Sequence, residues 1–159
     1  MNISIICVGK IKEKFYRDAS LEYSKRLSRY CKLNIIEVQD EKTPDNASVK
    51  EDLQIKDKEG TGILRNIKDN SYVIAMDIKG EMITSKLFAG KISSLGVMGD
   101  SNIVFVIGGS LGLSKKVLER ADYKLSFSNM TFPHQLFRVM ILEQVYRGFR
   151  INAREPYHK

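Results

Sequence analysis

The sequence has 159 residues, 43% of them hydrophobic and 28% charged, and a formal net charge of +7 at pH 7. That length suits one domain, 1–159, able to bury a core without disulfide or metal, and the apolar content excludes disorder of the whole chain. No apolar run approaches the ~20 residues of a membrane span and the opening residues lack the pattern of a secretory signal, so a cytoplasmic protein with no membrane partner is expected, its basic excess directed at a polyanion, nucleic acid first.

Ile3 to Val8 is a short apolar run ending at Gly9, and reads as a buried strand. Glu13 to Tyr30 carries Phe15, Ala19, Tyr23, Leu27 and Tyr30 at helical spacing. Leu33 to Val38 is a second strand, Asp40 to Ser48 a polar loop, and Val49 to Ile67 a helix with an exposed face, weakened at Gly60 and Gly62. Tyr72 to Ile78 is a strand that turns at Lys79-Gly80. Ser85 to Leu95 is a helix closed by Gly96 and Gly99. Asn102 to Ile107, the most apolar strand, runs into Gly108-Gly109-Ser110-Leu111-Gly112, and Ser114 can cap a short helix, Lys115 to Arg120. Tyr123 to Phe127 is a last strand, and a long amphipathic helix follows from Pro133 to Asn152. Strands that are apolar runs and alternate with helices indicate an α/β fold, a mostly parallel sheet with helices on both faces. Ligands of such sheets bind where strand carboxyl ends meet loops, which directs attention to the loops after Met76, Ile107 and Phe127.

The cations are unevenly spread. Lys10, Lys12, Lys14, Arg17, Lys25, Arg26, Arg29 and Lys32 crowd the start; Arg138, Arg147, Arg150, Arg154 and Lys159 crowd the end. Two basic flanks suggest a binding surface built from both ends, although a solvated helix face accounts for the first equally well. Cys7 and Cys31 have neither metal-ligand spacing nor a nearby histidine, so no metal site is expected.

Three segments can carry chemistry. The Gly108–Gly112 loop lets backbone groups approach a ligand, but it is neither a Walker A loop nor a dinucleotide fingerprint; a ligand with little phosphate or a plain tight turn both fit. Leu125-Ser126-Phe127-Ser128-Asn129-Met130-Thr131-Phe132-Pro133-His134-Gln135 interleaves short polar with apolar residues. It could wrap an adenine or thioether, or simply connect a strand to a helix, with His134 structural. The helix Gln135 to Asn152 has a wide apolar side (Leu136, Val139, Met140, Leu142, Val145, Tyr146, Phe149), as if covered by more than one neighbour, and a dimer interface is plausible. Its arginines could contact phosphate or favour the helix carboxyl end.

At these residues the chain resembles the RlmH family, SPOUT-class (knotted α/β) methyltransferases of a pseudouridine in bacterial 23S rRNA. The matching pieces are Ile5-Ile6-Cys7-Val8-Gly9-Lys10 with Lys14 and Tyr16, Phe105 to Leu113, Leu125 to Gln135, Arg138, Glu143 to Arg147, and the closing Pro156-Tyr157-His158-Lys159. The resemblance implies a C-terminal trefoil knot, a homodimer, and transfer of a methyl group from S-adenosyl-L-methionine to N3 of the pseudouridine, on the assembled ribosome rather than naked RNA. It implies cofactor contacts at Met76, Gly108 with its neighbour Gly109, and Phe127, Ser128, Asn129, Met130, Thr131 and Phe132, with Met76 standing where leucine is common. The N3 imide must lose its proton, and the candidates to assist are Tyr157 and His158 on the tail, helped by Arg154. A non-catalytic basic RNA- or ribosome-binding factor is the alternative; it accounts for the basic flanks and not for the ligand-like loops.

Overall fold

The structure, a computed structural model, describes residues 1–157. In chain order it contains β1 (Asn2–Val8), α1 (Lys14–Leu27), β2 (Lys32–Val38), α2 (Val49–Leu64), β3 (Tyr72–Met82), α3 (Ser85–Met98), β4 (Asn102–Ile107), α4 (Lys115–Arg120), β5 (Tyr123–Ser126) and α5 (His134–Asn152). The strands form one sheet in the order β2-β1-β4-β3-β5, and every pairing is parallel.

Side chains of successive strand residues point to opposite faces, and the apolar runs fill both. Ile3, Ile5 and Cys7 of β1 and Ile103, Phe105 and Ile107 of β4 face α1, α3 and α5 through Leu27, Phe88, Ile92, Ile141, Leu142 and Val145. Ile6, Val8, Val104 and Val106 face the other way, against Ile63 of α2 and Val117 of α4. The mostly apolar character of β1 and β4, broken inside β1 only at Ser4, follows from this two-sided cover. Each such side chain contributes about 1.5–3 kcal/mol by leaving water. Burial also pushes the Cys7 thiol up to about 11, which leaves it inert.

Local chemistry sets most helix ends. Ser48 and Glu51 form a reciprocal capping box at the start of α2, and Thr84 and Ser114 cap α3 and α4. Gly60 and Gly62 do not weaken α2 where the sequence suggests. An added Cβ would stand 2.2 Å from Ser114 Oγ and 2.5 Å from Val38 Cγ1, so both glycines let α2 pack closely on α4 and β2. Likewise α3 runs through Gly96 and ends at Gly99.

The largest departure is in β3, which continues to Met82 instead of turning at Lys79-Gly80. Leu125 of β5 pairs with both Met76 and Glu81, so residues 77–80 bulge out of the ladder. Gly80 permits this because a Cβ there would lie 2.7 Å from the Leu125 backbone.

Arg138, expected on the helix surface where it could contact phosphate, is instead buried. It is 1% exposed, donates from Nη1 to Glu37 Oε1 at 2.6 Å and from Nη2 to the Gly9 carbonyl at 2.8 Å. It ties α5 to the carboxyl ends of β1 and β2 and is unavailable to phosphate.

Candidate functional site

Two neighbouring hollows lie at this end of the sheet. The first is a cleft of about 180 Å³ bounded by the β3 bulge (Met76, Asp77, Ile78), the loop after β4 (Gly108, Gly109, Gly112) and the segment after β5. The second, of about 440 Å³, lies between α3 and α5 and shares Leu125 and Phe127 with the first; Glu143 and Gln144 line its far side.

The Gly108–Gly112 loop is held tightly. Gly112 N–H donates to the Gly109 carbonyl at 3.1 Å, and a Cβ on Gly108 would stand 2.8 Å from the Gly112 carbonyl carbon. Only glycine allows the two strands of this loop to approach so closely. Gly109 lines the cleft with its backbone, but its Cβ direction points away, toward the Glu59 carboxylate at 2.9 Å. Glu59, 4% exposed on α2, also accepts the Glu41 backbone N–H at 3.1 Å. Burial, with Asp40 and Glu41 close by, holds its carboxyl above the usual range. A buried carboxyl therefore lies beside the glycine loop, on the side away from the cleft.

The segment after β5 organises itself. Ser126 Oγ donates to the Ser128 carbonyl at 3.0 Å, and Met130 N–H donates to Ser128 Oγ at 3.0 Å. Phe127 then meets Phe137 with ring centroids 5.1 Å apart, and Phe132 meets Phe137 at 6.4 Å. The three rings make one apolar wall of the cleft.

Of the residues expected to contact a cofactor, the cleft brings together Met76, Gly108, Gly109, Phe127, Ser128, Met130, Thr131 and Phe132. Asn129 is exposed and is not among its lining residues. The sequence reading missed Asp77, Ile78 and Phe137, and it took His134, which also lines the cleft, as structural. Phe137 lies one helical turn after Pro133, a signal that only becomes legible once Phe127 and Phe132 are known to fold back onto α5.

The tail residues lie elsewhere. Tyr157 packs on Tyr146 with centroids 5.0 Å apart, beneath the Arg147 guanidinium at 4.7 Å, and donates its hydroxyl to Glu143 Oε1 at 3.2 Å. Burial first, then hydrogen bonding with Tyr23 and the Glu143 charge, push its phenol up to about 12. Tyr157 is therefore a hydrogen-bond donor at neutral pH and not a proton acceptor. Arg147 bonds Glu143 at 2.9 Å and Arg150 pairs with Glu155 at 2.7 Å, so much of the C-terminal basic flank is neutralised internally. Arg154 is exposed, with a φ of 55° that ends the helix. His158 lies outside the described residues.

The family model described as "Predicted SPOUT methyltransferase" matches residues 1–158. The protein called ribosomal RNA large subunit methyltransferase H in Clostridium beijerinckii is 70% identical over 159 residues, all of both chains. Its namesake in Clostridium botulinum is 72% identical over the same full span. Among solved structures, a "probable methylase family protein" of Haemophilus influenzae shares the fold, with a TM-score of 0.55 at 14% identity over 99% of this chain and 70% of that one.

Proposed function

The chain belongs to the SPOUT methyltransferase family, and within it to the RlmH group, and from that premise we propose that it methylates N3 of a pseudouridine in 23S rRNA of the assembled ribosome, as a cytoplasmic homodimer with S-adenosyl-L-methionine as methyl donor. The observation that carries this reading is full-length identity of 70–72% to proteins named for rRNA large-subunit methylation, joined to a cleft at the strand carboxyl ends.

The cleft fits the cofactor. Its walls are aromatic and thioether side chains, its polar groups are mostly backbone and hydroxyl, and among the described residues no lysine or arginine lines it to receive a phosphate. A nucleoside joined to an amino acid suits such a lining better than a nucleotide does. The volume is below the ~300 Å³ at the low end of ligand sites, so the whole cofactor would extend beyond the cleft or widen it, and Met130, 72% exposed, stands at its edge. The trefoil knot of the class belongs to this reading.

The bound cofactor supplies an activated methyl group for in-line displacement, and the chain supplies position. Phe127, Phe132 and Phe137 would hold the apolar body and the loop backbones would orient it. The acceptor imide must lose a proton. Tyr157 would offer a donor and an aromatic face on leaving Glu143 and Arg147, Arg154 a positive charge that stabilises the anion, and His158 is left as the proton acceptor.

What supports action of the tail on the other subunit is distance. Phe137, at the cleft, and Tyr146, against which Tyr157 packs, are nine residues apart, about 13 Å along α5. Two-fold pairing of α5 helices in opposite directions brings each tail toward the partner's cleft. Leu136, Val139, Met140 and Phe149 remain only half-buried in the single chain, and they supply the apolar surface for such pairing.

The test is mass mapping of rRNA nucleosides from a strain lacking this protein. One methylated pseudouridine should disappear and return on complementation. Retention of every methylated pseudouridine overturns the assignment, and a pure protein that takes up no S-adenosylmethionine in calorimetry leaves the non-catalytic binding factor.

A further inference from the structure

The segment from Lys10 to Arg17 makes two choices that stability does not explain. Phe15 is 61% exposed, its ring 4.3 Å from that of Tyr16. The first turn of α1 carries Lys14 and Arg17 and no acidic residue, although cations there oppose the helix dipole. Lys10, Lys12, Lys14 and Arg17 are all exposed, against only Glu13 and Asp18 nearby. The Lys14–Asp18 pair leaves both side chains mostly in water, 81% and 57% exposed, and is readily exchanged for another anion.

The segment is also fixed in place. Gln135 Oε1 accepts the backbone N–H of Lys12 at 2.7 Å and of Glu13 at 3.3 Å. Arg138 holds the Gly9 carbonyl, and Arg17 donates to the carbonyls of Ile11 and Lys12. Gln135 directly follows His134, a residue of the cofactor cleft, so the segment stands at that cleft's rim.

We propose that Lys10–Arg17 is a docking platform for single-stranded RNA next to the target nucleotide, with Phe15 stacking on a base and Lys10, Lys12 and Lys14 meeting the phosphates around it. This rests on the rRNA reading above. Point cations around a flat exposed ring suit an unpaired strand, whose bases offer a π-face, and not a duplex, whose base faces are hidden.

The experiment compares Phe15→Leu, which keeps apolar bulk, with Phe15→Trp, which keeps the π-face. KM and kcat are measured on purified ribosomes, S-adenosylmethionine affinity by calorimetry and mass by light scattering. Phe15→Leu should raise KM for ribosomes roughly five- to one-hundred-fold, with kcat, cofactor affinity and mass unchanged, and Phe15→Trp should restore it. Lys12→Gln and Lys14→Gln should each reduce the slope of log affinity against log salt by about 0.7 for a labelled single-stranded oligoribonucleotide. That binding assay needs no turnover: weaker binding by Phe15→Leu supports the platform even if the wild type methylates nothing, which would strike the functional reading instead. Unchanged KM and unchanged oligonucleotide affinity overturn the proposal. So does a Phe15→Leu protein that dissociates into monomers or loses the cofactor, because the face then belongs to the subunit interface or to the cleft.

Discussion

Gly108→Ala tests the cleft most directly. The new methyl would stand 2.8 Å from the Gly112 carbonyl carbon, 3.0 Å from its oxygen and 3.1 Å from Leu113 N. Ordinary contact begins near 3.4 Å, so the loop must open by about 0.6 Å, and the obstructing atoms are backbone that cannot swing aside. Losing one or two cofactor hydrogen bonds from that backbone, at about 0.5–1.5 kcal/mol each, weakens affinity by roughly 2- to 150-fold. Gly90→Ala in α3 is the matched control: among the described residues nothing lies within 4 Å of its Cβ, and a helix-interior glycine costs about 0.5–1 kcal/mol relative to alanine. Calorimetry with S-adenosylmethionine and thermal melts on both variants should show Gly108→Ala losing affinity while still melting cooperatively. Gly90→Ala should bind as the wild type does and melt slightly higher. Wild-type affinity in Gly108→Ala would refute the placement of the cofactor against this loop.

Three further outcomes follow from the same geometry. Arg138→Met should lower stability by about 2–3 kcal/mol, below the ~3–5 kcal/mol of a fully buried pair because the Glu37 side chain is 35% exposed; denaturant melts would show it, and a change under 0.5 kcal/mol would deny the tie between α5 and the strand ends. A carboxyl whose folded pKa is raised contributes stability that is complete below its ordinary value of 4.5 and is lost as pH rises through the folded value, so Glu59→Gln, which can still accept the Glu41 N–H, should gain stability over the wild type progressively from pH 4 to 8; a gain that shrinks over that range would contradict the buried acid. With S-adenosylmethionine held near the wild-type Kd, so that the weakened Gly108→Ala site stays largely empty, a mixed dimer of one Gly108→Ala subunit and one subunit lacking residues 156–159 should keep about half the wild-type methylation if tails act in trans, and should lose most of it if they act in cis.

The apolar runs at β1 and β4 required cover on both sides, and the helical spacing between the runs supplied it, so the parallel α/β sheet was legible without coordinates. The loops after β4 and β5 were legible as candidate ligand segments from their place at strand carboxyl ends, while their glycines and short polar residues fitted a plain turn or a simple connection as well. Other features depend on partners far away in sequence. The β3 bulge exists because Leu125 pairs twice with it, and no pattern within residues 72–82 records that. Arg138 looks like any surface arginine until Glu37 and the Gly9 carbonyl, 101 and 129 residues away, close around its guanidinium. Phe137 meets Phe127 and Phe132 at the cleft, and the space toward which the Gly109 Cβ direction points is taken by Glu59 of α2. Periodicity and turn chemistry act between neighbours in the chain and can be read from it. Burial of a charge, the pairing of distant strands and the orientation of a loop are set by long-range packing, and only the folded chain brings those groups together.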